Sequence, residues 1–172
     1  MIKFESEKNL ENFIVDCFND DGICVVNDEE YKSLKQQFNA GDYGVPDLVF
    51  YSSDIEIVDR ETQVEHLRLH VVELKNEPIQ FSHIGQIARY KRYFDLAFEF
   101  RDVEMEFTLV VPESVSKSND VKWLIDSLDN INIVEFSLDP KSGVKFKQTS
   151  GWYKVDETYK SAMELFDINE EL

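Results

Sequence analysis

Pro46-Asp47-Leu48-Val49-Phe50-Tyr51 and Leu67-Arg68-Leu69-His70-Val71-Val72-Glu73-Leu74-Lys75 are the two runs that decide the fold. Both are rich in β-branched, aromatic and leucine side chains, and each reads as a strand. A charged connection, Ile55 to Gln63, joins them, and two strands met in succession usually pair antiparallel. Side chains alternate along a strand, so Leu67, Leu69, Val71, Glu73 and Lys75 share one side while Val72 and Leu74 take the other. Antiparallel pairing sets the start of the first run beside the end of the second, which predicts Asp47 next to Glu73. An apolar face then ends in two carboxylates and an ammonium.

Upstream, Glu5 to Phe18 carries Leu10, Phe13, Ile14 and Cys17 at helical spacing and stops at Asp20-Asp21-Gly22. Gly22 to Val26 reads as a short strand. Asn27 to Phe38 reads as a polar, helical insertion at the sheet edge, leading into Gly41-Asp42-Tyr43-Gly44. Downstream, Glu77-Pro78 ends the strand pairing, and Ser82 to Phe98 has helical periodicity through Ile84, Ile87, Ala88, Phe94 and Phe98. Phe107 to Val111 is a strand, Val121 to Leu128 a helix and Ile131 to Phe136 a strand. Val144 to Phe146 adds an edge strand and Glu157 to Phe166 a closing helix. The order, one helix, three strands, then helix, strand, helix, strand, predicts an α/β fold with a central mixed sheet flanked by helices. One domain over residues 1–172 is expected, its core at about 5–136 and a strand and helix extension over 137–172.

A chain of 172 residues with 42% hydrophobic content buries one sizeable core. No apolar run reaches membrane-spanning length and Met1 to Glu7 is too charged for a signal peptide, so a soluble, cytoplasmic protein is expected. Cys17 and Cys24, without a CxxC or a histidine cluster beside them, suggest free core thiols. His66 and His70 share a strand face but lack a third ligand, so zinc is not indicated. The formal charge of −17 argues against broad nucleic-acid binding, which draws on Lys and Arg. Two segments run the other way: Phe81 to Phe94 holds Arg89, Lys91 and Arg92, and Lys141 to Lys154 holds four lysines, with no acid in either. They predict a positive strip on an acidic body.

Converging carboxylates suit a hard divalent cation such as Mg²⁺, which takes few protein oxygens and leaves positions for water and phosphate. Lys75 is placed to orient or deprotonate a water and to stabilise developing charge. The acid-x-Lys pattern alone is unspecific: about 2.6 matches arise by chance and the chain has four. Only Glu73-Leu74-Lys75 ends an apolar strand, follows a Pro-Asp strand start and precedes an acid-free helix segment. The plainer alternatives are a solvated salt bridge for Glu73 and Lys75 and a turn carboxylate for Asp47.

Gly44-Val45-Pro46-Asp47, then Glu73-Leu74-Lys75, then Gln86 and Tyr90 four apart on the next helix, resemble the motif series of the PD-(D/E)XK nuclease superfamily. The layout is closest to its NucS-like and RecB-like domains. The resemblance implies a restriction-endonuclease-like αβββαβ core and a Mg²⁺- or Mn²⁺-dependent nuclease. In this likeness Asp47, Glu73 and the backbone carbonyl of Leu74 hold the metal and Lys75 assists the attacking water. Many members add an acid from the first helix; Glu7 fits that position, with Glu5 and Glu11 as competitors. Gln86, Tyr90 and Arg89 would touch substrate, and His83 is placed to meet a phosphate. The implied partner is nucleic acid, DNA ahead of RNA, with a homodimer or partner protein compatible. The competing expectation is a non-catalytic acidic protein on the same fold that mimics nucleic-acid charge.

Overall fold

The computed structural model describes residues 4–99, 101–114 and 117–149. Helix α1 (Glu7–Asp21) starts where the Ser6 hydroxyl accepts the Asn9 N–H at 3.2 Å, satisfying one of the donors a helix start leaves free. It stops at Gly22, whose φ of 76° suits a residue without a Cβ and whose N–H reaches Phe18 O at 2.8 Å. Leu10, Ile14 and Phe18, four apart, form its buried stripe. Next come two-residue strands, β1 (Ile23–Cys24) and β2 (Glu29–Glu30), paired in a ribbon of their own.

The main sheet has six strands: β3 (Ser33–Gln36), β4 (Leu48–Ile57), β5 (Gln63–Leu74), β6 (Val103–Pro112), β7 (Ile131–Asp139) and β8 (Gly143–Thr149), side by side in that order. Strands β5, β6 and β7 run parallel, while β3, β4 and β8 add antiparallel pairs. This is an α/β fold on a mixed sheet. Parallel neighbours need crossovers, supplied by α2 (Phe81–Ala97) and α3 (Asn119–Asp126).

Both faces of the sheet are covered. Val49, Leu69, Val71, Leu109 and Ile133 pack against Ile84, Ile87, Tyr90 and Phe94 of α2 and Val121 and Ile125 of α3. Leu48, Phe50, Val72, Leu74, Val110 and Val134 pack against α1. Strands buried on both sides carry near-continuous apolar runs, as Leu109-Val110-Val111 in β6 does. No helix among the described residues is long and apolar enough to cross a membrane.

Two expectations change. Gly22 to Val26 is not a strand of the main sheet; its short strand belongs to the side ribbon. Asn27 to Phe38 is not helical: edge strand β3 takes its place, pairing Ser33 with Tyr51 and Gln36 with Leu48. Sheet hydrogen bonds override the weak helical preference of Lys-Gln-Gln, and Gln37 turns the chain at a φ of 50°. The Glu157 to Phe166 helix lies outside the described residues. Elsewhere the expected strands are found and are longer, with Val144 to Phe146 lying inside β8. Both cysteines are free; Cys24 is buried and Cys17 only partly so.

The hairpin of β4 and β5 outruns the sheet. Strand β3 pairs only up to Tyr51 and β6 only from Leu67, so Ser53–Ile57 and Gln63–His66 form a bare two-stranded ribbon. On it Ile55, Ile57 and Val58 are 67%, 71% and 59% exposed.

Further down β5, His70 is fully buried, its Nε2 2.8 Å from Thr108 Oγ1 and its Nδ1 3.7 Å from Cys24 Sγ. Burial pushes its pKa down to about 4, against the pull of Glu106. The unfolded chain therefore binds a proton near pH 6.5 that the folded one refuses, so this site's stability is complete above that pH and is lost as pH falls toward 4. On this basis the wild type should lose about 2–3 kcal/mol relative to His70→Phe between pH 7 and 4. Urea unfolding of both proteins across that window measures it, and a constant difference would remove the buried neutral histidine as the cause.

Candidate functional site

Pairing Leu48 with Val72 places the residue before β4 beside the residue after Val72. Asp47 and Glu73 meet there. One Asp47 oxygen, Oδ2, accepts the Leu74 N–H at 2.8 Å, and Oδ1 accepts the Gln37 amide at 3.1 Å. Glu73 is 2% exposed, which rules out a solvated salt bridge. Its Oε1 receives the Lys75 ammonium at 2.7 Å, while Oε2 is buried with no hydrogen-bond partner. Beyond the strand end the Lys75 N–H bonds Val110 O at 2.8 Å, and its Nζ lies 4.0 Å from Glu7 Oε1 at the start of α1.

Three carboxylates thus surround one ammonium, and their proton affinities record the imbalance. Burial, then the Asp47 charge, lifts Glu73 to about 7, in spite of Lys75. Burial also raises Asp47, opposed by the Leu74 N–H, Gln37 and Lys75. Glu7 rises with burial and with the charges of Asp47 and Glu77. Burial alone would lower the Lys75 ammonium, but Glu73, Glu7 and Asp47 together hold it above its ordinary value. The site is short of positive charge.

Helix α2 closes the site. Tyr90 is buried, and its hydroxyl accepts the Gln86 amide at 2.8 Å. Burial, then the Glu73 and Asp47 charges, pushes that hydroxyl up to about 12, so it stays protonated. Against its ring lies Gly44, where φ is 111° and a Cβ would stand 3.0 Å from Tyr90 Cε1. The glycine lets the loop before Asp47 lie flat on the helix. Arg89 is exposed one turn from Gln86.

His83 takes a different place from the one expected. It is buried, its Nδ1 accepts the Gln80 N–H at 3.2 Å and its Nε2 lies 3.0 Å from Glu77. That is a helix cap, and both ring nitrogens are engaged rather than turned to a phosphate. Among the acids of α1, Glu7 reaches Lys75, whereas Glu11 is buried against Gln36 at 2.9 Å and Lys8 at 2.9 Å. Gln37 and Gln36, which steady Asp47 and Glu11, carry no sequence signature, since only the hairpin of β3 brings them here.

No three His, Cys, Asp or Glu side chains form a metal-ligand group among the described residues. The set present is two carboxylates, Asp47 and Glu73, with the Leu74 carbonyl between Glu73 and Lys75. An unpartnered buried oxygen and a deficit of positive charge fit a hard divalent cation taking few protein ligands. No family model, curated protein or solved structure matches the chain.

Raising Glu73 toward 7 makes its ionised form destabilising: the benefit of a protonated carboxyl, complete below pH 4.5, is lost as pH rises through 7. Glu73→Gln should therefore stabilise the metal-free protein by about 1–3 kcal/mol at pH 8, with the gain shrinking toward pH 4.5. Addition of Mn²⁺ should raise the wild-type thermal midpoint and leave that of Glu73→Gln unmoved. Calorimetric melting with and without the metal reads both effects.

Proposed function

We propose that this chain is a metal-dependent nuclease of the PD-(D/E)XK kind, built on a restriction-endonuclease-like core, that hydrolyses phosphodiester bonds in DNA. The observation carrying this reading is the burial of Asp47 and Glu73 together, with Lys75 2.7 Å from Glu73 and the Glu73 Oε2 unpartnered. Asp47, Glu73 and the Leu74 carbonyl would hold Mg²⁺ or Mn²⁺. When bound, the cation supplies Lewis acidity at the phosphate and lowers the pKa of the attacking water.

The protein's own groups supply the rest. Leu74 N–H and Gln37 fix the Asp47 carboxylate before substrate arrives, so little reorganisation is left for the reaction. Lys75, drawn in by Glu73 and Glu7, donates hydrogen bonds to the attacking water or to a phosphate oxygen as negative charge grows there. Its raised pKa makes it a poor proton acceptor while Glu73 remains charged. It therefore orients and stabilises rather than deprotonates. The Tyr90 hydroxyl, held protonated, bounds the site opposite the sheet, and Gln86 fixes its direction.

A second reading rests on the formal charge of −17: a non-catalytic acidic protein that occupies the basic surface of a partner. Nuclease assays with Mg²⁺ or Mn²⁺ on single-stranded, duplex and branched DNA, and on RNA, separate the two. Asp47→Asn should abolish cleavage and Lys75→Met should slow it by about 10²–10³-fold. Cleavage that survives both changes would sink the site assignment, and failure of calorimetry to detect Asp47-dependent metal binding would favour the acidic-partner reading.

A further inference from the structure

The outward side of α2 carries Phe81, Gly85, Arg89, Arg92 and Leu96, all exposed, at spacings of three and four that align them along the helix. Phe81 is 52% exposed at the first helical position and Leu96 41% exposed near the last turn. In a chain with 35 acidic and 18 basic residues, Arg89 and Arg92 make no ion pair among the described residues. Lys91, on the next face, is taken by Asp95 at 2.6 Å. Gly85 has open space where a Cβ would stand, so internal packing does not require it, although glycine weakens a helix interior.

We infer that this face is the track of a single-stranded DNA segment entering the site, with Arg89 and Arg92 on its phosphates and an unpaired base stacked on Phe81. The inference rests on the nuclease reading and narrows its substrate to an unpaired strand. A duplex hides its base faces from Phe81. It also brings about twice the phosphate charge per unit length toward a body of formal charge −17. A single strand offers a free π-face and a narrow backbone that two arginines can follow. Arg89 lies three residues from Gln86, whose amide meets the Tyr90 hydroxyl at the edge of the carboxylate site.

The test is binding of a fluorescent 20-nucleotide single strand to the full chain in EDTA, where cleavage is off, compared with the matching duplex over a range of salt. Tighter binding of the single strand is expected. Phe81→Ala should weaken it about tenfold or more without altering the salt slope. Each of Arg89→Ala and Arg92→Ala should reduce the slope of log affinity against log salt by about 0.7. Gly85→Leu should weaken binding while the thermal midpoint does not fall. Duplex binding equal to or tighter than single-strand binding, or binding indifferent to Phe81→Ala and Gly85→Leu, would overturn the track. If the track holds but wild type with Mg²⁺ cuts no DNA, it is the nuclease reading that fails.

Discussion

A single hydrogen bond, from the Leu74 N–H to Asp47 Oδ2, ties the start of β4 to the end of β5. The sheet register that permits it places two carboxylates where water is largely excluded, and one lysine cannot balance them. Most other features of this corner answer to that constraint. The β3 hairpin brings Gln37 to the second Asp47 oxygen, α1 adds Glu7 beyond the lysine, and Gly44 lets Tyr90 lie across the top. Removing Gln37 would leave a buried charge less well met, which is costly in a low-dielectric setting, whereas Glu7 adds to the negative excess.

The central part of this arrangement was legible in the sequence because it depends on short-range rules. Alternation along Leu67 to Lys75 put Glu73 on the side of Leu69 and Val71, and antiparallel succession put Asp47 beside it. The helical spacing of Gln86 and Tyr90 put both on one helix face, where the Gln86 amide meets the Tyr90 hydroxyl. What failed were judgements of local preference under tertiary competition. Lys35-Gln36-Gln37 has helical leanings, yet an open strand edge on β4 offers hydrogen bonds that a short isolated helix cannot match. His83 stands in an acid-free, apparently exposed stretch, but a cap three residues from Gln80 and the nearby Glu77 draw it inward.

Charge organisation follows from the same economy of basic groups. Lys75 serves the carboxylate site, Lys91 serves Asp95, and Arg89 and Arg92 stand clear of both. On a body of formal charge −17, broad polyanions meet mostly like charge.

The bare ribbon of Ser53–Ile57 and Gln63–His66 carries a different implication. Two unpaired strand edges bearing Ile55, Ile57 and Val64 are a template on which other chains can add strands. Asp54, Glu56, Glu61 and Glu65 are interspersed with those apolar positions, so any copy approaching in register meets its own charge pattern. Acid residues at this tip thereby act as gatekeepers against fibril-like stacking, and the protection they give weakens with salt, which screens it, and in acid, which discharges it.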